Sequence, residues 1–222
     1  MKKIKNLIVF IGMISAFPFA FGGAAEDFFA AARRDDESTV VKLAFRGLDL
    51  NTLDEHGNHA LLVAIREGSW KVASFLLEQP LVQVEARNPR GESPLMMAAI
   101  KGHLPLAKRL IERKAEVNKP GWAPLHYAAA NAEPVGLDLV RLLLEHHAYI
   151  DAESPNKTTP LMMAARYGSP QVVQLLLEEG AEATLKNEQG LNALDFAQVA
   201  ERKDAVRLLT AALRARQPVG TW

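Results

Sequence analysis

The stretch Thr159–Ala181, TPLMMAARYGSPQVVQLLLEEGA, sets a pattern that returns on both sides of it at nearly constant spacing. Aligned on Pro160, the equivalent positions are Asp27, Ala60, Pro94, Pro124, Pro160 and Ala193, at steps of 33, 34, 30, 36 and 33 residues, so six repeats fit the chain. Thr159 is an N-cap type, and Pro160 follows it where a first helical turn tolerates a missing N–H. Ala164 and Ala165 are small enough to let neighbouring helices approach, and Gly168 is expected to permit a turn. Val172, Val173, Leu175, Leu176 and Leu177 then give a second helix a dense apolar face, which Gly180 is expected to end. Such a helix pair cannot bury both apolar faces alone, so it requires a similar pair on either side, and the core is expected to be distributed along the stack.

A period near 33 with a T-P-L-H-x-A-like opening resembles the ankyrin repeat. The resemblance is carried by Thr159-Pro160-Leu161, by Ser93-Pro94-Leu95, by Pro124-Leu125-His126, and by Gly102-His103 at the turn of the third repeat. It implies an all-α ankyrin-repeat solenoid of about six helix-turn-helix units with short β-hairpin loops. The repeats lie near 26–55, 59–88, 93–121, 123–155, 159–188 and 192–216, with a tail at 217–222. Polar Asp27, Arg33 and Arg34 in the first repeat, and Arg202, Lys203, Asp204 and Arg207 in the last, suit terminal caps. Pro80 follows the outer helix of repeat two closely, with one extra residue in the return loop. Repeat four is irregular: only 7 steps separate Val117 from Pro124, against 10 from Val84 to Pro94, so its hairpin tip is three residues short. The same repeat gains three residues in its interhelical turn, at Asn131–Asp138, where Pro134 and Gly136 punctuate the chain.

Residues 1–25 read as a secretory signal peptide: Lys2, Lys3 and Lys5 open it, Leu7–Phe21 is apolar, and Gly22–Ala25 offers a small-residue exit with cleavage expected after Ala25. The apolar run is short for a membrane span, which needs roughly 20 residues. Its short, Lys-rich start has a bacterial character, so the mature chain is expected in a periplasm or outside the cell, with no stable membrane insertion after cleavage. The sequence contains no Cys, which rules out a lipid-modified cysteine, disulfides and thiolate metal sites. Lys plus Arg and Asp plus Glu each number 26, and losing the three leader lysines leaves 23 basic residues against 26 acidic. That balance offers no field to attract nucleic acid.

The chemistry-bearing residues favour structural roles. His126 occupies the T-P-L-H histidine, which the resemblance implies is part of a polar network within the repeat; Ala123 stands where that pattern has Thr. Met96, Met97, Met162 and Met163 are soft ligand types, yet adjacent helical residues point about 100° apart, so neither pair closes on one ion and core filling is expected. His146 and His147, with His147 at a helix-terminator position, and His56 and His59 across a hairpin tip are the alternative metal candidates; each pair falls short of the three or four ligands zinc takes. No Gly-rich phosphate loop, HExxH helix or GxSxG elbow occurs, so no catalytic residue, metal or cofactor is assigned.

The resemblance places recognition on the hairpin tips and on the solvent-facing ends of the inner helices. This yields Arg90, Trp122, Arg166 and Tyr167 as candidate anchors, with His56, Arg66, Lys101, Asn156 and Lys157 around them. Its implied function is binding one or more periplasmic proteins, so as to protect, anchor or inhibit them. For an exported chain that means support of a periplasmic enzyme or an antidote to a toxin acting there. The competing class is a small metal-assisted hydrolase using the histidine pairs.

Overall fold

The computed structural model describes residues 21–215, and the expected leader, apart from Phe21–Ala25, and the tail 217–222 lie outside them. Among the described residues the chain forms twelve α-helices. It divides into two compact bodies, an N-terminal one of residues up to Met97 with Glu112–Ala115, and a C-terminal one of Ala98–Ile111 with residues from Glu116 on.

The N-terminal body holds α1 (Phe21–Arg33), α2 (Glu37–Phe45), α3 (Ala60–Glu67), α4 (Trp70–Glu78) and the start of α5 (Pro94–Ile100). Helix α1 packs on α2 and α3, α3 packs on α4, and α4 on α2, so two antiparallel pairs share one interior. Phe28, Leu61, Leu62, Ile65 and Leu76 fill it and are essentially inaccessible. Asp35 links the pairs: in the left-handed region at φ 58, it accepts the Lys71 and Val72 N–H groups at 2.8 and 3.1 Å. A carboxylate from repeat one thereby caps the outer helix of repeat two and meets the positive end of its dipole. Helix α1 also takes in Phe21–Ala25, the last residues of the expected leader.

The C-terminal body continues with α6 (Leu104–Glu112), α7 (Pro124–Ala129), α8 (Pro134–Glu145), α9 (Pro160–Tyr167), α10 (Pro170–Glu178), α11 (Ala193–Val199) and α12 (Lys203–Ala215). Inner helices α7, α9 and α11 pack side by side, and outer helices α8, α10 and α12 form the second row. Leu125, Leu139, Leu143, Leu161 and Leu176 are buried between the rows. Two expectations change here. The residues gained in repeat four are shared between turn and helix: the connection from α7 to α8 is 130–133, against 168–169 from α9 to α10, and Pro134 starts an α8 of 12 residues against 9 for α10. Gly168 is in extended backbone at φ −75 and ψ −179, so no left-handed turn requires it. A Cβ there would stand 2.3 Å from the Ala129 carbonyl oxygen, and the close approach of α7 and α9 is what excludes a side chain.

The tips of repeats two, three, five and six share one construction. The N–H of Asp54, Asn88, Ser154 and Asn187 meets the carbonyl four residues on, at 2.9 to 3.2 Å, closing a tight turn at each tip. Asp54, Asn88 and Asn187 add side-chain oxygens that accept the N–H groups two and four residues ahead. These are Asx turns, in which a short acceptor replaces strand pairing. The one isolated antiparallel bridge among the described residues joins Leu53 to His59. At the shortened tip of repeat four, Asn118 instead donates to the His147 carbonyl at 2.7 Å and accepts the Tyr149 N–H at 2.8 Å.

Candidate functional site

In the C-terminal body the inner helices α7, α9 and α11 pack side by side, tied by hydrogen bonds at their starting ends. At their starting ends the imidazole of His126 is fully buried. Its Nδ1 accepts the Ala123 N–H at 3.1 Å, and its Nε2 lies 2.9 Å from the Thr158 carbonyl, to which Nε2–H donates. Burial pushes its pKa down, against backbone hydrogen bonds that raise it, so the ring is neutral and structural. Met162 takes the same place in repeat five, where its sulfur accepts the Thr159 N–H at 3.4 Å. A thioether can do there what an imidazole nitrogen does in repeat four. Met96, Met97 and Met162 are buried and Met163 is half-buried, in keeping with core filling.

Trp122 belongs to this starting end. It is half-buried, its ring 5.2 Å from that of His126 in an edge-on arrangement and 6.0 Å from that of Tyr127. Asn156 and Lys157 lie on the tip of repeat five, where Asn156 Oδ1 accepts the Ser154 hydroxyl at 2.6 Å and Lys157 adopts a positive φ of 59.

The finishing ends face solvent. The Arg166 guanidinium carbon stands 5.1 Å from the centroid of the Tyr167 ring, a cation–π pair in which Tyr167 is still 45% exposed. Both sit at the end of α9, and Val199, at the corresponding end of α11, is 69% exposed. Ile100 and Lys101 occupy the matching positions of repeat three. Gly102 beside them borders repeat four so closely that a Cβ would lie 3.0 Å from Val135 and 3.1 Å from Asn131. The result is a strip of exposed apolar and cationic groups over the ends of α9 and α11, with Ile100 and Lys101 exposed at the matching end of repeat three and the half-buried Ala130 and Asn131 of repeat four between them. Arg166 and Tyr167 share this strip, whereas Trp122 stands at the opposite ends of the inner helices, about 10 Å away along an eight-residue helix. The exposed Val199 and Ile100 were missed in the sequence, although both are the sixth residue after the aligned helix start, the position of Arg166.

The remaining contact candidates, Arg90, Arg66 and His56, lie in the N-terminal body, each beside a carboxylate. Arg90 approaches Glu92 at 3.4 Å, Arg66 approaches Glu67 at 3.3 Å, and His56 approaches Glu55 at 3.6 Å. His59 precedes α3 with its buried Nδ1 unpartnered, and burial pushes its pKa down against the raising influence of Asp49. His146 caps α8, and His147 takes the left-handed conformation expected at its terminator position, at φ 62. Among the described residues no three His, Asp or Glu side chains gather as metal ligands, and no helix is long and apolar enough to cross a membrane.

Paired helices, Asx-turn tips and an exposed strip of inner-helix ends define a repeat module built for protein contact. The chain belongs to the ankyrin-repeat family: the model for ankyrin repeats (3 copies) matches residues 28–120, 80–154 and 125–217. Mouse nuclear factor NF-kappa-B p105 subunit is 34% identical over 157 residues, covering 67% of this chain and 16% of that protein. Among solved structures, the chain resembles one from the complex of a predatory endopeptidase of Bdellovibrio bacteriovorus with its immunity protein. The TM-score is 0.73 at 29% identity, over 84% of this chain and 97% of that one. An ankyrin repeat domain of Acinetobacter baumannii is similar at TM-score 0.70 and 25% identity, over 83% and 96% of the two chains. The ankyrin fold is a protein-interaction module, and binding a protein partner is the role it supports here.

Proposed function

We propose that the chain is an exported, periplasmic inhibitor of the immunity type, which holds an endopeptidase inactive and performs no chemistry of its own. The observation that carries this reading is the likeness to the chain of the endopeptidase–immunity protein complex, because it takes in 97% of that chain's length. The contact is made by the strip around Arg166 and Tyr167. A guanidinium held over an exposed ring loses less freedom on binding than a loose one and offers a planar fork to a carboxylate. The leader-like composition of residues 1–25 supports export.

Endopeptidases fractionated from the periplasm of the source cell are assayed with increasing amounts of the purified protein. One of them is expected to lose activity at a one-to-one ratio. Arg166→Ala with Tyr167→Ala should restore that activity while leaving helical circular dichroism unchanged. The mass of the native protein should begin at Glu26. Endopeptidase activity that persists in every fraction at saturating protein refutes the inhibitor reading, and an intact Met1 in a membrane fraction refutes export.

A further inference from the structure

We propose that Arg202 is the positioning residue of the Arg166–Tyr167 pair: it reaches back from repeat six to hold the carbonyl that follows Tyr167, and so fixes the end of α9 on which both side chains stand. The proposal rests on the reading of that strip as the partner contact. The residues that precede the outer helices α2, α4, α6, α8, α10 and α12 are Asp36, Ser69, His103, Glu133, Ser169 and Arg202. An N-cap side chain has to accept a hydrogen bond from the free N–H groups of the first turn, and the first five of these can. Asp36, His103 and Ser169 do so, accepting the N–H groups of Thr39, Leu106 and Val172 at 3.1 to 3.3 Å. Arg202 has only donors, and a cation is the wrong sign for the start of a helix. Glu201 before it is held at a positive φ of 55. Both features are locally unfavourable, so a contact elsewhere has to explain them.

That contact is at Gly168. In repeats one, two, three and six the carbonyls of Asp35, Gly68, Gly102 and Glu201 accept the N–H of the first residue of the outer helix, at 3.0 to 3.2 Å. In repeat five that first residue is Pro170, which has no N–H, so the Gly168 carbonyl lacks this local donor. Arg202, half-buried, supplies the replacement: its Nη2 donates to the Gly168 carbonyl, and Arg202 and Pro170 line one hollow. A cation at this place also suits the negative end of α9. From repeat four, the Ala129 carbonyl takes the space that a Cβ on residue 168 would need. Residue 168 is thereby held by repeat four at its α-carbon and by repeat six at its oxygen. Arg166 and Tyr167 are the two residues before it, so the last turn of α9 is kept from fraying and the cation–π pair is ordered before contact. A pair ordered in advance loses less freedom on binding.

Proton NMR of the free protein reads the pair directly, because the Tyr167 ring shifts the Arg166 side-chain resonances upfield. Arg202→Ala should return those resonances to their positions in Tyr167→Ala, and the milder Arg202→Gln should take them most of the way. Arg202→Lys keeps one charged donor and should retain part of the shift. Asp35→Ala weakens the cap on α4 in the other body and should leave the shift unchanged, which separates positioning from a general loss of stability. In the endopeptidase assay, Arg202→Ala should raise the half-inhibiting concentration by about tenfold, the order expected when two side chains must be fixed on binding. Wild-type Arg166 resonances in either folded variant, Arg202→Ala or Arg202→Gln, overturn the proposal whatever the inhibition assay gives. So does an equal change in Asp35→Ala, or inhibition by Arg202→Ala at the wild-type concentration. If the shift is lost in Arg202→Ala while no endopeptidase responds even to the wild-type protein, the inhibitor reading fails and the positioning role stands.

Discussion

Replacing His126 by Ala tests how one repeat is joined to the next. The imidazole has no solvent exposure, and both its nitrogens are bonded to backbone, Nδ1 to Ala123 N–H and Nε2 to the Thr158 carbonyl. Removing it leaves a buried donor and a buried acceptor without partners, at about 1–3 kcal/mol each, and opens a void as well. A loss of about 4 kcal/mol follows, a large share of the 5–15 kcal/mol that typically holds a domain together. His126→Gln keeps an N–H that can reach Thr158 and should cost about half as much. The pH dependence gives a second reading of the same contact. Burial holds the folded pKa below the ordinary 6.5, so below about pH 6.5 the unfolded chain takes up a proton that the folded chain refuses. Stability therefore falls as pH drops through that window, by at most about 1.4 kcal/mol per pH unit for this one group, and the variant should lose its share of the slope. Urea unfolding between about pH 7.5 and about pH 5, which brackets the ordinary histidine pKa, measures both effects. A loss below about 1 kcal/mol, or an unchanged pH slope, would refute the bridging role.

Three further outcomes are expected. Leu176→Asp should cost several kcal/mol, because Leu176 is inaccessible and an unpaired carboxylate there is desolvated, whereas Glu178→Ala loses one exposed hydrogen bond from Gln174; equal melting temperatures for the two would contradict the placement of the core. Asp35→Ala should destabilise by about 1 kcal/mol through loss of the cap on α4, and Asp35→Gly by less, since glycine relieves the positive φ; thermal melts that reverse this order would discount the backbone strain. Lys157→Gly should stabilise by about 0.5–1 kcal/mol, because the corresponding tip positions of the other repeats, Gly57, Gly91 and Gly190, already use glycine at positive φ; a lower melting temperature would show that the lysine side chain makes a contact worth more than the strain.

The repeat itself was legible in the amino-acid sequence because its determinants are local. Period, proline at the first helical turn, the apolar run at Val172–Leu177 and the left-handed stop at His147 each depend on residues within a few positions of one another. The short tip and long segment of repeat four were legible as lengths, and their shapes were not. Only packing divided the insertion between a longer connection and an added turn of α8, and only the approach of α7 to α9 explains why residue 168 is glycine. The same holds for function. The residue types at Arg166, Tyr167 and Trp122 named them as contact candidates, but helix register separates Trp122 from the other two, and its indole meets the His126 ring edge-on. An apolar hollow lined by Phe45, Leu48, Phe75, Leu81 and Val82 likewise arises only where the ends of α2 and α4 meet the return loops that follow them, held by Arg113 from farther along the chain. Local periodicity determined the repeat, whereas the surfaces offered to partners were decided by which side chains tertiary packing buried and which it left exposed.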